Sequence, residues 1–130
     1  MGKKRILLVD DDQAVLVGLG ARLAQHYDIV STLDPYQAIA LARKGHPDLI
    51  LCDLDMPGMS GGDVALALHD DPETAGIPLM YLTNLVSPQG LRDLKGEVRG
   101  RPGASKAAPL GELVARIEQL TGGSAPRLGS

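Results

Sequence analysis

Four short apolar runs punctuate the chain, near residues 5–10, 28–32, 48–53 and 78–83. Between and after them lie stretches whose apolar residues recur at helical spacing, near 13–26, 35–44, 60–69 and 109–121. In Ile6-Leu7-Leu8-Val9 and Leu49-Ile50-Leu51-Cys52 every position is apolar, as expected of parallel strands covered on both faces rather than of a half-solvated sheet. Strand alternating with helix predicts an α/β fold, a doubly wound parallel sheet with helices on both faces. Several boundaries have local causes. Asp34-Pro35 offers a cap followed by a proline in the first turn, Gly45 is placed to close that helix, and Ser60 can cap the next one. The last helix carries Leu110, Leu113, Val114, Ile117 and Leu120 on one stripe, which is the pattern of a helix packed on a sheet.

The segment from Pro88 to Gly103 is less regular. Leu91, Leu94 and Val98 suggest a fourth helix, but Gly96, Gly100, Pro102 and Gly103 should shorten it. A fifth strand is then brief, around Gly103 to Lys106. Beyond Leu120, the run Gly122-Gly123-Ser124-Ala125-Pro126 and onward to Ser130 has the composition of a flexible tail or linker stub. The expected organisation is one domain over residues 1–121 followed by that tail over 122–130.

Composition narrows the function classes. A chain of 130 residues that is 44% hydrophobic fits one domain with one core. The net charge is −3 and the basic residues are scattered, so no footprint for direct nucleic-acid binding is expected. Tyr27, Tyr36 and Tyr81 are the only aromatic residues, which leaves no platform for stacking bases. Cys52 is the only cysteine, so an internal disulfide is excluded. A reducing cytoplasm is the expected compartment. The place of Cys52 within an apolar run predicts a buried, inert thiol. No apolar stretch reaches membrane-spanning length. His26, His46 and His69 have no metal-ligand spacing and are expected at the surface.

The chemistry concentrates where strands end. Asp10-Asp11-Asp12 closes the first apolar run and Asp53 closes the third. If those runs are neighbouring parallel strands, their carboxyl ends crowd several carboxylates into one crevice, and two unit charges about 4 Å apart repel by roughly 4 kcal/mol at an effective dielectric of about 20. A shared proton, a raised pKa or a hard divalent cation relieves such crowding, and Mg²⁺ suits a site with few carboxylates and an incoming phosphoryl group. Asp12 alone reads better as a helix N-cap. Thr83 ends the fourth run, Lys106 ends the proposed fifth strand, and Asp55-Met56-Pro57-Gly58 forms a turn just after Asp53. Open α/β sheets bind ligands at this end of the strands. Carboxylates, a hydroxyl and a lysine together suit a phosphoryl group carried on an aspartate.

The sequence Leu-Val-Asp-Asp-Asp, then Asp-Leu-Asp-Met-Pro-Gly-Met-Ser-Gly, then Leu-Thr and a late Lys, in that order, resembles the receiver domain of the two-component response-regulator family over nearly the whole chain. The resemblance implies a five-stranded sheet of order 2-1-3-4-5, the flavodoxin-like arrangement. It implies that Asp53 is the phosphoacceptor, Asp11 a direct Mg²⁺ ligand, Asp10 a ligand through water, and Asp55 the donor of a backbone carbonyl to the metal. Thr83 is then the switch hydroxyl and Lys106 the phosphate-pairing cation. The implied partners are a sensor histidine kinase or histidine phosphotransfer protein and a downstream protein or domain that the sequence does not name. Apart from accepting a phosphoryl group and hydrolysing it, such a domain is not an enzyme.

Four positions depart from the family pattern. Ala107 stands where a proline commonly follows the lysine, Gly103 where a switch aromatic stands, and Asn84 where a smaller residue follows the threonine. The entry to the last strand is rich in glycine and proline, with Arg99 and Arg101 beside them. Two other readings compete. Asp53-Leu54-Asp55 also resembles the nucleophile motif of haloacid dehalogenase phosphatases, although that family places its second acidic pair after the lysine. A receiver-like interaction module that is never phosphorylated is the other, favoured by Gly103 and Ala107 and opposed by the intact acidic set.

Overall fold

The computed structural model describes residues 3–84 and 87–122. Strands β1 (Arg5–Val9), β2 (Asp28–Thr32), β3 (Leu49–Asp53) and β4 (Leu79–Thr83) coincide with the four apolar runs to within a residue at each end. They alternate with helices α1 (Gln13–Leu23), α2 (Pro35–Gly45) and α3 (Gly61–Asp70), and the described chain ends in α5 (Leu110–Leu120). Between β4 and α5 lie a short helix α4 (Pro88–Asp93), a two-residue strand β5 (Glu97–Val98) and β6 (Arg101–Ser105).

The sheet order is β2-β1-β3-β4-β6-β5. Its first five members are parallel and follow the expected doubly wound order, β6 being the fifth parallel strand. The antiparallel β5 is an addition that the sequence reading did not foresee.

Side-chain alternation at period two divides the apolar strands between two cores. Ile6, Leu8, Leu49, Leu51, Met80 and Leu82 face one way and pack with Leu16, Leu19 and Leu23 of α1 and Leu113 and Ile117 of α5. Leu7, Val9, Ile50, Cys52, Leu79 and Tyr81 face the other way, toward Ala38 and Ala42 of α2 and Val64, Ala65 and Leu68 of α3. Cys52 is fully buried, and burial, with Asp53 and Asp10 nearby, pushes its thiol up to about 12. The thiol is buried, as its strand position suggested.

The caps follow the sequence at three starts. Asp12 accepts from the Ala14 N–H, Asp34 from the Tyr36 N–H ahead of Pro35, and Ser60 and Asp63 form a reciprocal capping box. One end differs: Gly45 remains in the helix, and His46, with φ 45°, supplies the left-handed cap. A Gly is favoured there, but a non-β-branched residue tolerates that conformation at modest cost.

The fourth helix is indeed short, ending at Asp93, and the reason lies just beyond it. Lys95, Gly96, Arg99 and Gly100 all adopt positive φ, which no helix accommodates. Arg99 and Gly100 are the two-residue loop of a hairpin between β5 and β6, a loop that needs left-handed residues at both positions. The last strand therefore begins at Arg101 rather than Gly103, and Lys106 lies one residue past its end. Pro102 is tolerated because the ladder with β4 starts only at Gly103. The proposed tail lies outside the described residues except for Gly122.

A polar tie closes the fold at the end of the sheet away from the acidic cluster. The Tyr27 hydroxyl donates to Glu118 at 2.6 Å, while Lys4 reaches the same carboxylate at 3.1 Å and the Thr121 hydroxyl at 2.9 Å. Burial and Glu118 both raise the Tyr27 phenol well above its usual range, so it stays a donor. Tyr27→Phe is expected to lower unfolding free energy by about 1 kcal/mol, the net value of one such bond, read as a lower urea midpoint with unchanged slope.

Candidate functional site

Parallel strands all deliver their carboxyl ends to the same edge, so β1, β3, β4 and β6 aim Asp10, Asp53, Thr83 and Lys106 at one crevice. Asp10 follows β1 directly and is fully buried; Asp53, the last residue of β3, is 6% exposed. The Lys106 side chain, 10% exposed, reaches in from beyond β6 and stands 2.6 Å from Asp10 Oδ2 and 3.2 Å from Asp53 Oδ1. Asp10 Oδ1 accepts the Asp12 N–H at 2.9 Å, whereas Asp10 Oδ2 receives no hydrogen bond of good direction and relies on the ammonium. Asp11, exposed at the mouth, completes a set with Asp10 and Asp53 in which one oxygen from each carboxylate lies within 4.8 Å of the others.

The electrostatics follow from that crowding. Burial, and then the Asp10 charge, push the Asp53 carboxyl up from 3.8 to about 6, although Lys106 pulls the other way. Burial opposes the Lys106 ammonium, but Asp10 and Asp53 outweigh it and raise its pKa, so the lysine stays charged. Three carboxylates against one cation leave the crevice short of positive charge. An all-oxygen set with more carboxylates than cations suits a hard divalent cation, not one preferring nitrogen or sulfur. His26, His46 and His69 are exposed and none enters the cluster.

The remaining expected residues fall nearby. Thr83, buried at 2% exposure, ends β4 beside β3, and its carbonyl accepts the Lys106 N–H at 2.9 Å. Asp55 lies in the turn after β3 with its side chain exposed and outside the carboxylate set. Asn84 is exposed at the rim.

Two positions acquire meaning only in three dimensions. The Gly61 N–H donates to the Leu54 carbonyl at 2.8 Å, and a Cβ there would run into the Asp53 carbonyl oxygen and lie 2.9 Å from Leu54 Cα. Gly61 thus lets α3 start directly against the end of β3 and fixes the backbone behind Asp53. The available signal was a pair of glycines inside a helix start already capped by serine. Gly103, in turn, is not simply an empty position, because a Cβ there would come within 2.6 Å of Val98 Cγ2. The added strand β5 lays Val98 over the place a side chain at 103 would take.

The profile of the family described as the response regulator receiver domain matches residues 6–96. The chain belongs to that family. Its match to response regulator PleD of Caulobacter vibrioides is 44% identical over 82 residues, 62% of this chain and 18% of that protein, so the chain spans about a fifth of the relative's length. Among solved structures, a response regulator from Desulfuromonas acetoxidans is 30% identical with a TM-score of 0.73, covering 90% of this chain and 95% of that one. The receiver domain of a sensor histidine kinase from Pseudomonas aeruginosa, with a magnesium ion coordinated in its active-site cleft, shares the fold at a TM-score of 0.77 and 23% identity, over 94% of this chain and 100% of that one. Membership in the receiver family sets aside the phosphatase resemblance. The profile match stops at Gly96, where the chain turns into the β5 hairpin.

Two outcomes test this geometry. The carboxyl of Asp53 binds its proton more tightly folded than unfolded, so between about pH 4 and pH 6 the native state holds the extra proton and stability falls as pH rises. The penalty is complete above about pH 6. Asp53→Asn removes it, and in chelator its stability advantage over the parent should grow by about 2 kcal/mol from pH 4.5 to pH 7.5, measured by urea unfolding. Gly61→Ala, which overfills the junction of β3 and α3, should destabilise by about 2 kcal/mol, while Gly62→Ala, with no atom nearer than 3.6 Å to its added Cβ, should cost far less.

Proposed function

We propose that this receiver is phosphorylated on Asp53 by a histidine of a sensor kinase or phosphotransfer protein, in a Mg²⁺-dependent reaction, and that the phosphoryl group changes which partner its surface binds. The observation that carries the proposal is one nearly buried carboxylate, Asp53, held against an ammonium and beside two further carboxylates at the ends of adjacent strands. A structural ion pair would need one acid, not three.

An Asp53 carboxylate oxygen attacks phosphorus, the phosphorus–nitrogen bond of the phosphohistidine breaks, and its electron pair stays on the imidazole, which leaves as the neutral histidine of the partner because its other ring nitrogen carries a proton taken from solvent. Hydrolysis ends the phosphorylated state by a different route: water attacks phosphorus, the bond between phosphorus and the Asp53 oxygen breaks, and inorganic phosphate and a proton pass to solvent as the carboxylate returns. The residues to hold Mg²⁺ are Asp11 and Asp53 directly, Asp10 through water, and the Asp55 backbone carbonyl. The cation, when bound, neutralises oxygens of the transferring group. Lys106 leaves its pairing with Asp53 Oδ1 for a phosphoryl oxygen, and the Thr83 hydroxyl donates to another. These contacts exist only in the phosphorylated form, so they supply the differential energy that shifts a conformational equilibrium.

The working unit is residues 1–121, with residues 122–130 as tail or linker, operating in the cytoplasm. Among the described residues no helix is long and apolar enough to cross a membrane. The chain acts as its own phosphotransfer and hydrolysis catalyst and has no other substrate.

Acetyl phosphate with Mg²⁺ should add the mass of one phosphoryl group, labile to base and absent from Asp53→Ala and from chelated samples. Full labelling of Asp53→Ala places the acceptor elsewhere. Absence of labelling in the parent chain supports the unphosphorylated interaction module instead.

A further inference from the structure

Lys106 has to stay aimed at two carboxylates from a position beyond the end of its strand. Ala107 and Ala108 follow it, and neither has a polar side chain or a ring with which to stiffen the backbone. The chain nevertheless leaves β6 through a closed turn. Lys106 N–H donates to the Thr83 carbonyl at 2.9 Å, and Ala108 N–H donates to the Ser105 carbonyl at 3.0 Å. The remaining amide of the turn, Ala107 N–H, donates to Ser105 Oγ at 3.1 Å. Ser105 is 2% exposed. A buried hydroxyl at the end of an interior strand is costly unless bonded, and this one is used to hold the amide two residues on, as a serine does when it mimics a backbone turn.

We propose that Ser105 is a positioning residue for the phosphoryl site: its hydroxyl fixes the turn over Ser105–Ala108 and thereby aims the Lys106 ammonium at Asp10 and Asp53. The proposal rests on the reading of Lys106 as the phosphate-pairing cation. A plainer role competes with it, that of a turn cap easing entry into α5, whose own N-cap Pro109 offers no side-chain hydrogen bond. The two roles differ in whether Ser105 acts through Lys106.

The test is the rate of phosphorylation by acetyl phosphate at saturating Mg²⁺ for the parent chain, Ser105→Ala, Ser105→Thr, Lys106→Ala and the double variant Ser105→Ala/Lys106→Ala. Loss of one aiming hydrogen bond should slow Ser105→Ala about five-fold, and Ser105→Thr, which keeps the hydroxyl, should recover most of the rate. The double variant should be no slower than Lys106→Ala alone, because residues acting through one group are not additive. The second readout needs no phosphorylation: the ¹⁵N signal of the Lys106 ammonium, protected by its buried pairing, should weaken in Ser105→Ala and persist in Ser105→Thr. A Ser105→Ala chain that labels at the parent rate, or losses that multiply in the double variant, overturn the proposal. If the parent chain is not labelled at all, the phosphoacceptor reading fails and the ammonium signal decides the positioning role alone. Should Ser105→Ala not fold, Ser105→Cys, a weak acceptor of similar size, takes its place with the same expected direction.

Discussion

A single ammonium among three carboxylates is the constraint around which this molecule is arranged. At an effective dielectric of about 20, two carboxylates about 4 Å apart repel by roughly 4 kcal/mol, and Lys106 lies within 3.2 Å of two of them. Without the lysine the buried Asp10 would lack compensation for one of its oxygens. With it, the pairing is still incomplete: Asp53 is left with a pKa displaced upward. A site so balanced responds to any newcomer that changes its charge. On the function proposed above, a cation would relieve it and a phosphoryl group would draw the ammonium away.

The sheet order is what makes this arrangement possible. Asp10 and Asp53 come from β1 and β3, hydrogen-bonded neighbours at the centre of the sheet, and Lys106 arrives from β6 two strands away from β3. The side chain of a lysine is long enough to span β4, and an aspartate in its place would not reach. Thr83, on the strand between, therefore has Asp53 on one side and the chain of Lys106 on the other, and its carbonyl is bonded to the Lys106 amide. Movement of the threonine and movement of the lysine backbone are mechanically joined.

Much of this was legible from residue order because unbroken apolar runs identify buried parallel strands, and strand ends in such sheets share an edge. Asp12, Asp34 and Ser60 announced their helix starts by chemistry that operates within three residues. What stayed hidden depends on contacts distant in sequence or on conformations that residue type only biases. His46 adopts a cap conformation usually given to glycine. The hairpin turn at Arg99-Gly100 lacks the asparagine or aspartate that marks such turns most clearly. Gly61 and Gly103 are small because of Asp53 and Val98 respectively, and neither collision can be inferred from spacing. Ser105 looked like an ordinary strand residue because its partner is an amide whose position depends on the turn itself.

The C-terminal third shows how a family pattern can lose particular side chains while retaining their mechanical surroundings. At Gly103 the missing side chain is replaced by Val98 reaching back from an added strand, and the Gly96 carbonyl beneath it accepts both the Gly103 N–H at 2.9 Å and an Arg116 guanidinium N–H at 3.0 Å. A rotating ring can change state without moving its backbone. Val98 instead carries a short branched side chain on β5, a strand tied to β6 through the Gly103 N–H and to α5 through Arg116. On the function proposed above, a change at Lys106 reaches this surface along the backbone of β6 and the hairpin, because position 103 has no side chain to carry it. The left-handed residues at Lys95, Gly96, Arg99 and Gly100 bracket β5, so the chain turns sharply at both ends of that strand.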